Sequence, residues 1–129
     1  MNEITIIKPD DFHCHLRQGA LMKDLVKEAS KSFARVLVMP NLIPPVITPD
    51  EVQNYHRALR AVGTDLEFVM SFKIVGRMLP RMIPDLKKVG AKAGKLYPAG
   101  VTTNSDDGIA DLELAYPVFA VMQEENLVL

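Results

Sequence analysis

The chain has 129 residues, 48% of them hydrophobic, and a formal net charge of -1 from 15 basic and 16 acidic side chains. That length and composition suit one domain with a sizeable core and argue against disorder, and the balanced charge excludes a global basic field for nucleic acid. The single cysteine, Cys14, cannot form an internal disulfide, no apolar run approaches the roughly 20 residues that span a bilayer, and Met1-Asn2-Glu3 lacks the basic start of a signal peptide, so the expectation is a soluble cytoplasmic protein with no membrane partner.

The first element in chain order is the β-branched run Ile4-Thr5-Ile6-Ile7, which reads as a strand. Pro9-Asp10 turn chemistry follows, and then Asp11-Phe12-His13-Cys14-His15-Leu16-Arg17. Leu21, Met22, Leu25, Val26, Ala29 and Phe33 recur at helical spacing, with Lys23, Asp24, Lys27, Glu28 and Lys31 on the other face. Arg35 to Met39 reads as a strand buried on both sides, typical of a parallel sheet. Pro44-Pro45 keeps the next segment a stiff loop. Thr48-Pro49-Asp50-Glu51 predicts a capping box that opens a helix, with Val52, Tyr55, Leu59 and Val62 as its buried stripe and Gly63 at its stop.

Leu66 to Phe72 reads as a third strand and Pro80 to Val89 as a third helix, whose start is open between Pro80 and Pro84. Gly94 to Pro98 reads as a short fourth strand ending in a polar loop, Ala99 to Gly108. Asp111 to Glu125 reads as a fourth helix, with Pro117 in its first turn or at a kink, and Leu127-Val128-Leu129 opens a fifth strand. After Lys95 the charged residues are all acidic, which reads as a solvated helix face because apolar residues are interleaved. Strict strand–helix alternation predicts an α/β fold with a parallel sheet and right-handed crossovers. An eight-stranded (β/α)8 barrel of TIM type takes about 250 residues, so this chain amounts to about the first half of one.

In parallel α/β folds the working residues stand at the C-terminal ends of strands. His13, His15, Arg17, Asn41 and Lys95 all fall there. Residues alternate across an extended strand, so His13 and His15 share one face while Phe12 and Cys14 take the other. Two readings of the histidines stand: a metal-gripping pair, or two partly buried rings satisfied by backbone. Asp10 or Asp11 orients an imidazole, or serves in the turn. Lys95 either snorkels to solvent or, desolvated, loses its proton and reacts with carbon dioxide to give a carbamate. Asn41 is a turn residue or a site residue. Cys14 reads as core, as do most of the methionines, and His56 reads as a surface position on a helix.

Asp10 to Arg17, Val38-Met39-Pro40-Asn41-Leu42, and Gly94 to Ala99 with Thr102-Thr103-Asn104-Ser105 together resemble, in order and spacing, the signature segments of bacterial-type, single-function dihydroorotase. That family belongs to the metal-dependent amidohydrolases and serves pyrimidine biosynthesis. The resemblance implies zinc as cofactor, with two ions per site. His13 and His15 would bind the first zinc, and carbamylated Lys95 would bridge both. Arg17 and Asn41 would hold the substrate carboxylate, with backbone at Leu16 assisting. The implied reaction interconverts N-carbamoyl-aspartate and dihydroorotate, and the metals would polarise the amide carbonyl. Another cyclic-amide hydrolase of hydantoinase type, or a non-catalytic dihydroorotase-like module, are the alternatives.

The family continues through further strand–helix units, which supply more metal-binding histidines and a general-base aspartate. No residue here stands in for them. The chain is therefore expected to be an incomplete N-terminal half of an amidohydrolase barrel, with no general base of its own and inactive alone. Its unpaired strand edges predict self-association, as a homo-oligomer or otherwise.

Overall fold

The computed structural model describes residues 3–101 and 105–129; the signature residues Thr102, Thr103 and Asn104 lie outside that description. Strands Asp10–Cys14 (β1), Arg35–Val38 (β2), Glu67–Ile74 (β3) and Ala91–Leu96 (β4) form one sheet, in chain order and parallel throughout. Helices Gly19–Ser32 (α1), Pro49–Arg60 (α2), Ile83–Lys88 (α3) and Tyr116–Glu124 (α4) follow the strands one by one. The α/β alternation read from the sequence is thus the architecture. All four strands end on the same rim of the sheet.

The predicted capping box forms. Thr48 accepts from the Glu51 backbone N–H, and the Glu51 carboxylate accepts from the backbone N–H of Ile47 and Thr48, both at 2.8 Å. The question of how the third and fourth helices start has a two-part answer. Pro80 opens a 3-10 turn, Pro80–Met82, and Pro84 then sits in the first turn of α3. Asp111 caps a second 3-10 turn, Leu112–Ala115, and Pro117 lies in the first turn of α4 without kinking it. Proline lacks only an N–H that a first turn would leave unbonded anyway.

The core lies between the helices and the outer face of the sheet. Val36, Val38, Met70, Phe72 and Ile74 meet Val26, Val52, Leu59, Ile83, Leu86, Val118 and Met122 there. Gly94 makes this packing possible, since a Cβ at that position would stand 2.8 Å from Met122 and 2.9 Å from Ile74. Leu127 joins the core, and Val128 extends the sheet. Its N–H donates to the Lys92 carbonyl and its carbonyl accepts from Gly94 N–H, in a parallel bridge beside β4. This is an isolated bridge to Ala93, and the strands assigned among the described residues number four.

Two expectations are corrected. Ile4, Ile6 and Ile7 form no strand and are 83, 74 and 93% exposed. β-branched residues favour a pleated surface only where a neighbour pairs with them. The pairing instead selects Asp10–Cys14: the Arg35 guanidinium bonds the Asp10 carboxylate at 2.5 and 3.1 Å, and Ala34 N–H donates to the Pro9 carbonyl. Second, strict alternation fails in β1. Asp11 faces Val36 and Cys14 faces Val38, so Phe12 and His13 together stand opposite Leu37. This bulge leaves Phe12 62% exposed, away from the core that Cys14 packs against.

A candidate metal and carboxylate site at the strand ends

The bulge in β1 delivers the histidines. Asp11 accepts from the His13 backbone N–H at 2.9 Å, which is the turn chemistry expected for at least one of the two aspartates; Asp10 is taken up by Arg35. The His13 and His15 rings lie 5.2 Å apart, centroid to centroid, tilted by 41°. His13 is exposed and His15 half-buried. Burial, then the neighbouring Arg17, His13 and Lys95, hold the His15 imidazole below its ordinary pKa. Neutral imidazole is the form that ligates a metal. His13, His15 and Arg17 lie at or just beyond the end of β1, and Lys95 near the end of β4, on the same rim of the sheet.

Arg17 leaves the site with φ 56°, in the left-handed region that non-glycine residues seldom occupy. Leu16 just before it is core, 1% exposed, which leaves only its backbone to meet a ligand. Asn41 is buried at the end of β2, in a loop folded by Leu42 and Val46 N–H groups donating to the Pro40 carbonyl. Lys95 is half-buried on β4, its Nζ 5.7 Å from the centre of the Tyr97 ring. Cys14 packs outward against the core, and burial, reinforced by Asp11, pushes its thiol up to about 11. It is an inert structural thiol. His56 is more enclosed than a surface position: its ring stands edge-on to Phe68 at 6.3 Å and lines a cleft with Arg60 and Thr64 at the opposite end of the strands.

Two residues near the rim carry roles beyond their place in the sequence pattern. Lys73 on β3 is the register partner of Lys95 and only 1% exposed. Its ammonium is paired with the Asp107 carboxylate and lies 5.5 Å from the centre of the Tyr97 ring. Tyr55 on α2, read as part of an apolar stripe, donates its hydroxyl to the Arg17 carbonyl at 2.8 Å. The polar end of a buried tyrosine was the available signal, since such a hydroxyl needs a partner.

Among the described residues, no group of three or more His, Cys, Asp and Glu side chains is placed to hold a metal. The donors of the rim are two imidazoles and an amine. That set fits a divalent, nitrogen-preferring ion such as zinc once the amine carries a carboxylate. Among the described residues no helix is long and apolar enough to cross a membrane.

No family model matches the chain. A dihydroorotase from Aliivibrio salmonicida is 41% identical over 132 aligned positions, covering 100% of this chain and 39% of that relative. The solved structure of dihydroorotase from Saccharomyces cerevisiae in complex with 5-fluoroorotic acid superposes with a TM-score of 0.86 at 36% identity, over 93% of this chain and 34% of that one. An L-hydantoinase from Arthrobacter aurescens shares the fold, with a TM-score of 0.71 at 17% identity, over 91% of this chain and 27% of that one. The chain thus spans well under half the length of the proteins it matches. Over its whole length in sequence, and over 93% of it in fold, it is similar to the N-terminal portion of the dihydroorotases.

Proposed function

We propose that this chain supplies one side of the active site of a dihydroorotase-type cyclic amide hydrolase, which interconverts N-carbamoyl-aspartate and dihydroorotate in pyrimidine biosynthesis. What supports the reading is the placement of His13, His15 and Arg17 at or just beyond the end of β1 and of Lys95 near the end of β4, on one rim of a parallel sheet, with the two imidazole rings 5.2 Å apart. In this reading His13 and His15 would hold zinc through their ring nitrogens, and Lys95, once carbamylated at Nζ by carbon dioxide with release of a proton, would add a carboxylate to the donor set. When bound, zinc supplies Lewis-acid polarisation of the amide carbonyl.

The protein's own groups bind and orient the substrate. The planar fork of Arg17 takes the carboxylate through two N–H donors, and the Asn41 amide and Leu16 backbone complete the clamp. Burial of Asn41 keeps water from competing for it. The single cysteine supports a reducing, cytoplasmic setting. The residues form the N-terminal half of a barrel, and the exposed rim of the sheet favours self-association.

A carboxylate clamp distinguishes this reading from a hydantoinase-like one, which shares the metal-binding groups but has no need of Arg17 and Asn41. The test is turnover by the protein as expressed from its own gene, with dihydroorotate and unsubstituted hydantoin offered side by side. Ring opening of dihydroorotate is expected, with loss of that activity in Arg17→Ala. Preference for hydantoin, unaffected by Arg17→Ala, would overturn the proposal.

A further inference from the structure

We infer that Tyr55 is a positioning residue for the carboxylate clamp, acting through the backbone of Arg17. The inference rests on the reading of Arg17 as the substrate-binding residue. Arg17 is held at φ 56°, a conformation that residues other than glycine seldom adopt and that persists where its surroundings impose it. Two anchors impose it here. On the near side Leu16 is locked in the core at 1% exposure. On the far side the Tyr55 hydroxyl donates to the Arg17 carbonyl at 2.8 Å, reaching across 38 residues of sequence from the middle of α2.

Tyr55 is itself fixed. It is 6% exposed, and α2 is pinned at its start by the reciprocal Thr48–Glu51 cap. The Arg17 side chain remains exposed beyond these two anchors. Helix α2 therefore sets the direction in which the guanidinium leaves the backbone, although no residue of α2 belongs to the strand-end site. A rigid aim matters because bidentate recognition fails when the fork is rotated or displaced by a fraction of its own size.

Tyr55→Phe removes the hydroxyl and keeps the ring, so the core packing of α2 is retained. One hydrogen bond corresponds to a change of about three- to tenfold in binding. In the protein as expressed from its own gene, KM for dihydroorotate is expected to rise by about that factor with kcat within about twofold, the pattern of lost ground-state binding. The carbonyl 13C resonance of Arg17 is expected to move upfield in the same variant. An unchanged KM would overturn the inference, as would a fall in kcat at constant KM. Arg17→Ala separates the two layers of the argument. If it raises KM and Tyr55→Phe does not, only the positioning role fails; if Arg17→Ala leaves KM unchanged, the clamp reading fails and the inference with it.

Discussion

The ion pair of Lys73 and Asp107, enclosed on one side only, makes an asymmetric prediction. The Lys73 side chain is 1% exposed and that of Asp107 39% exposed. Truncating Asp107 takes its carboxylate partner from an ammonium enclosed in the core, whereas truncating Lys73 returns a carboxylate to water. Breaking a buried ion pair from the side that leaves the other charge enclosed costs about 3–5 kcal/mol. The Tyr97 ring, 5.5 Å from Lys73 Nζ, offsets part of that through its electron-rich face, by about 1 kcal/mol. Asp107→Ala is therefore expected to lose about 2–4 kcal/mol. Lys73→Met keeps most of the apolar stem and gives up an ion pair whose other member is already well solvated, so its cost is about 1 kcal/mol or less. In the double variant the enclosed charge is gone, and most of the loss seen in Asp107→Ala is restored. Equilibrium urea denaturation of the protein as expressed from its own gene, near neutral pH and at fixed protein concentration, reads all three differences. Equal losses in the two single variants, or additive losses in the double, would refute the argument that burial of Lys73 decides the energetics.

Two other outcomes follow from local geometry. Burial, and then Arg60, hold His56 below its ordinary pKa of 6.5, so the unfolded chain binds a proton at higher pH than the folded one. Stability is then complete above pH 6.5 and falls as pH drops through the folded value; His56→Gln should flatten that fall in part, because His15 is shifted in the same direction, and an unchanged pH profile of the denaturation midpoint would contradict the assignment. At Gly94 an added methyl meets only side-chain ends, those of Met122, Ile74 and Phe72, whereas at Gly108 it meets the Tyr97 carbonyl at 2.5 Å and the Ser105 carbonyl at 2.8 Å. Gly94→Ala should cost about 1–3 kcal/mol and Gly108→Ala more, since backbone cannot turn aside; the reverse order in thermal unfolding would show that the loop yields more easily than the core.

The parts of this fold that are legible in sequence are those fixed by local chemistry. Thr48 and Glu51 meet within one helical turn, so their cap can be read directly, as can the proline-led first turns. Parallel order follows from alternation alone. The misread parts depend on partners remote in the chain. Ile4 to Ile7 has every local property of a strand and lacks a neighbour, while Asp10–Cys14, less apolar, has Arg35 to set its register. In sequence the third strand reads as ending at Phe72, just before Lys73. It continues to Ile74 because Lys73 is neutralised by Asp107, 34 residues away.

The rim divides in the same way. His13, His15 and Lys95 have side chains whose chemistry shows in their names and spacing. Tyr55 and Lys73 act through contacts that only the folded chain displays. One was absorbed into an apolar stripe, and the other fell at the edge of a strand.

The central claim is that Lys95, converted to a carboxylate, joins His13 and His15 in holding zinc. Its most direct test is the zinc content of Lys95→Ala beside the unaltered protein, each expressed from its own gene with added zinc and bicarbonate, and again with short carboxylic acids present. The account predicts loss of bound zinc in the variant and partial recovery when acetate or propionate fills the space of the missing carboxylate. Full zinc content in Lys95→Ala without any added acid would contradict it.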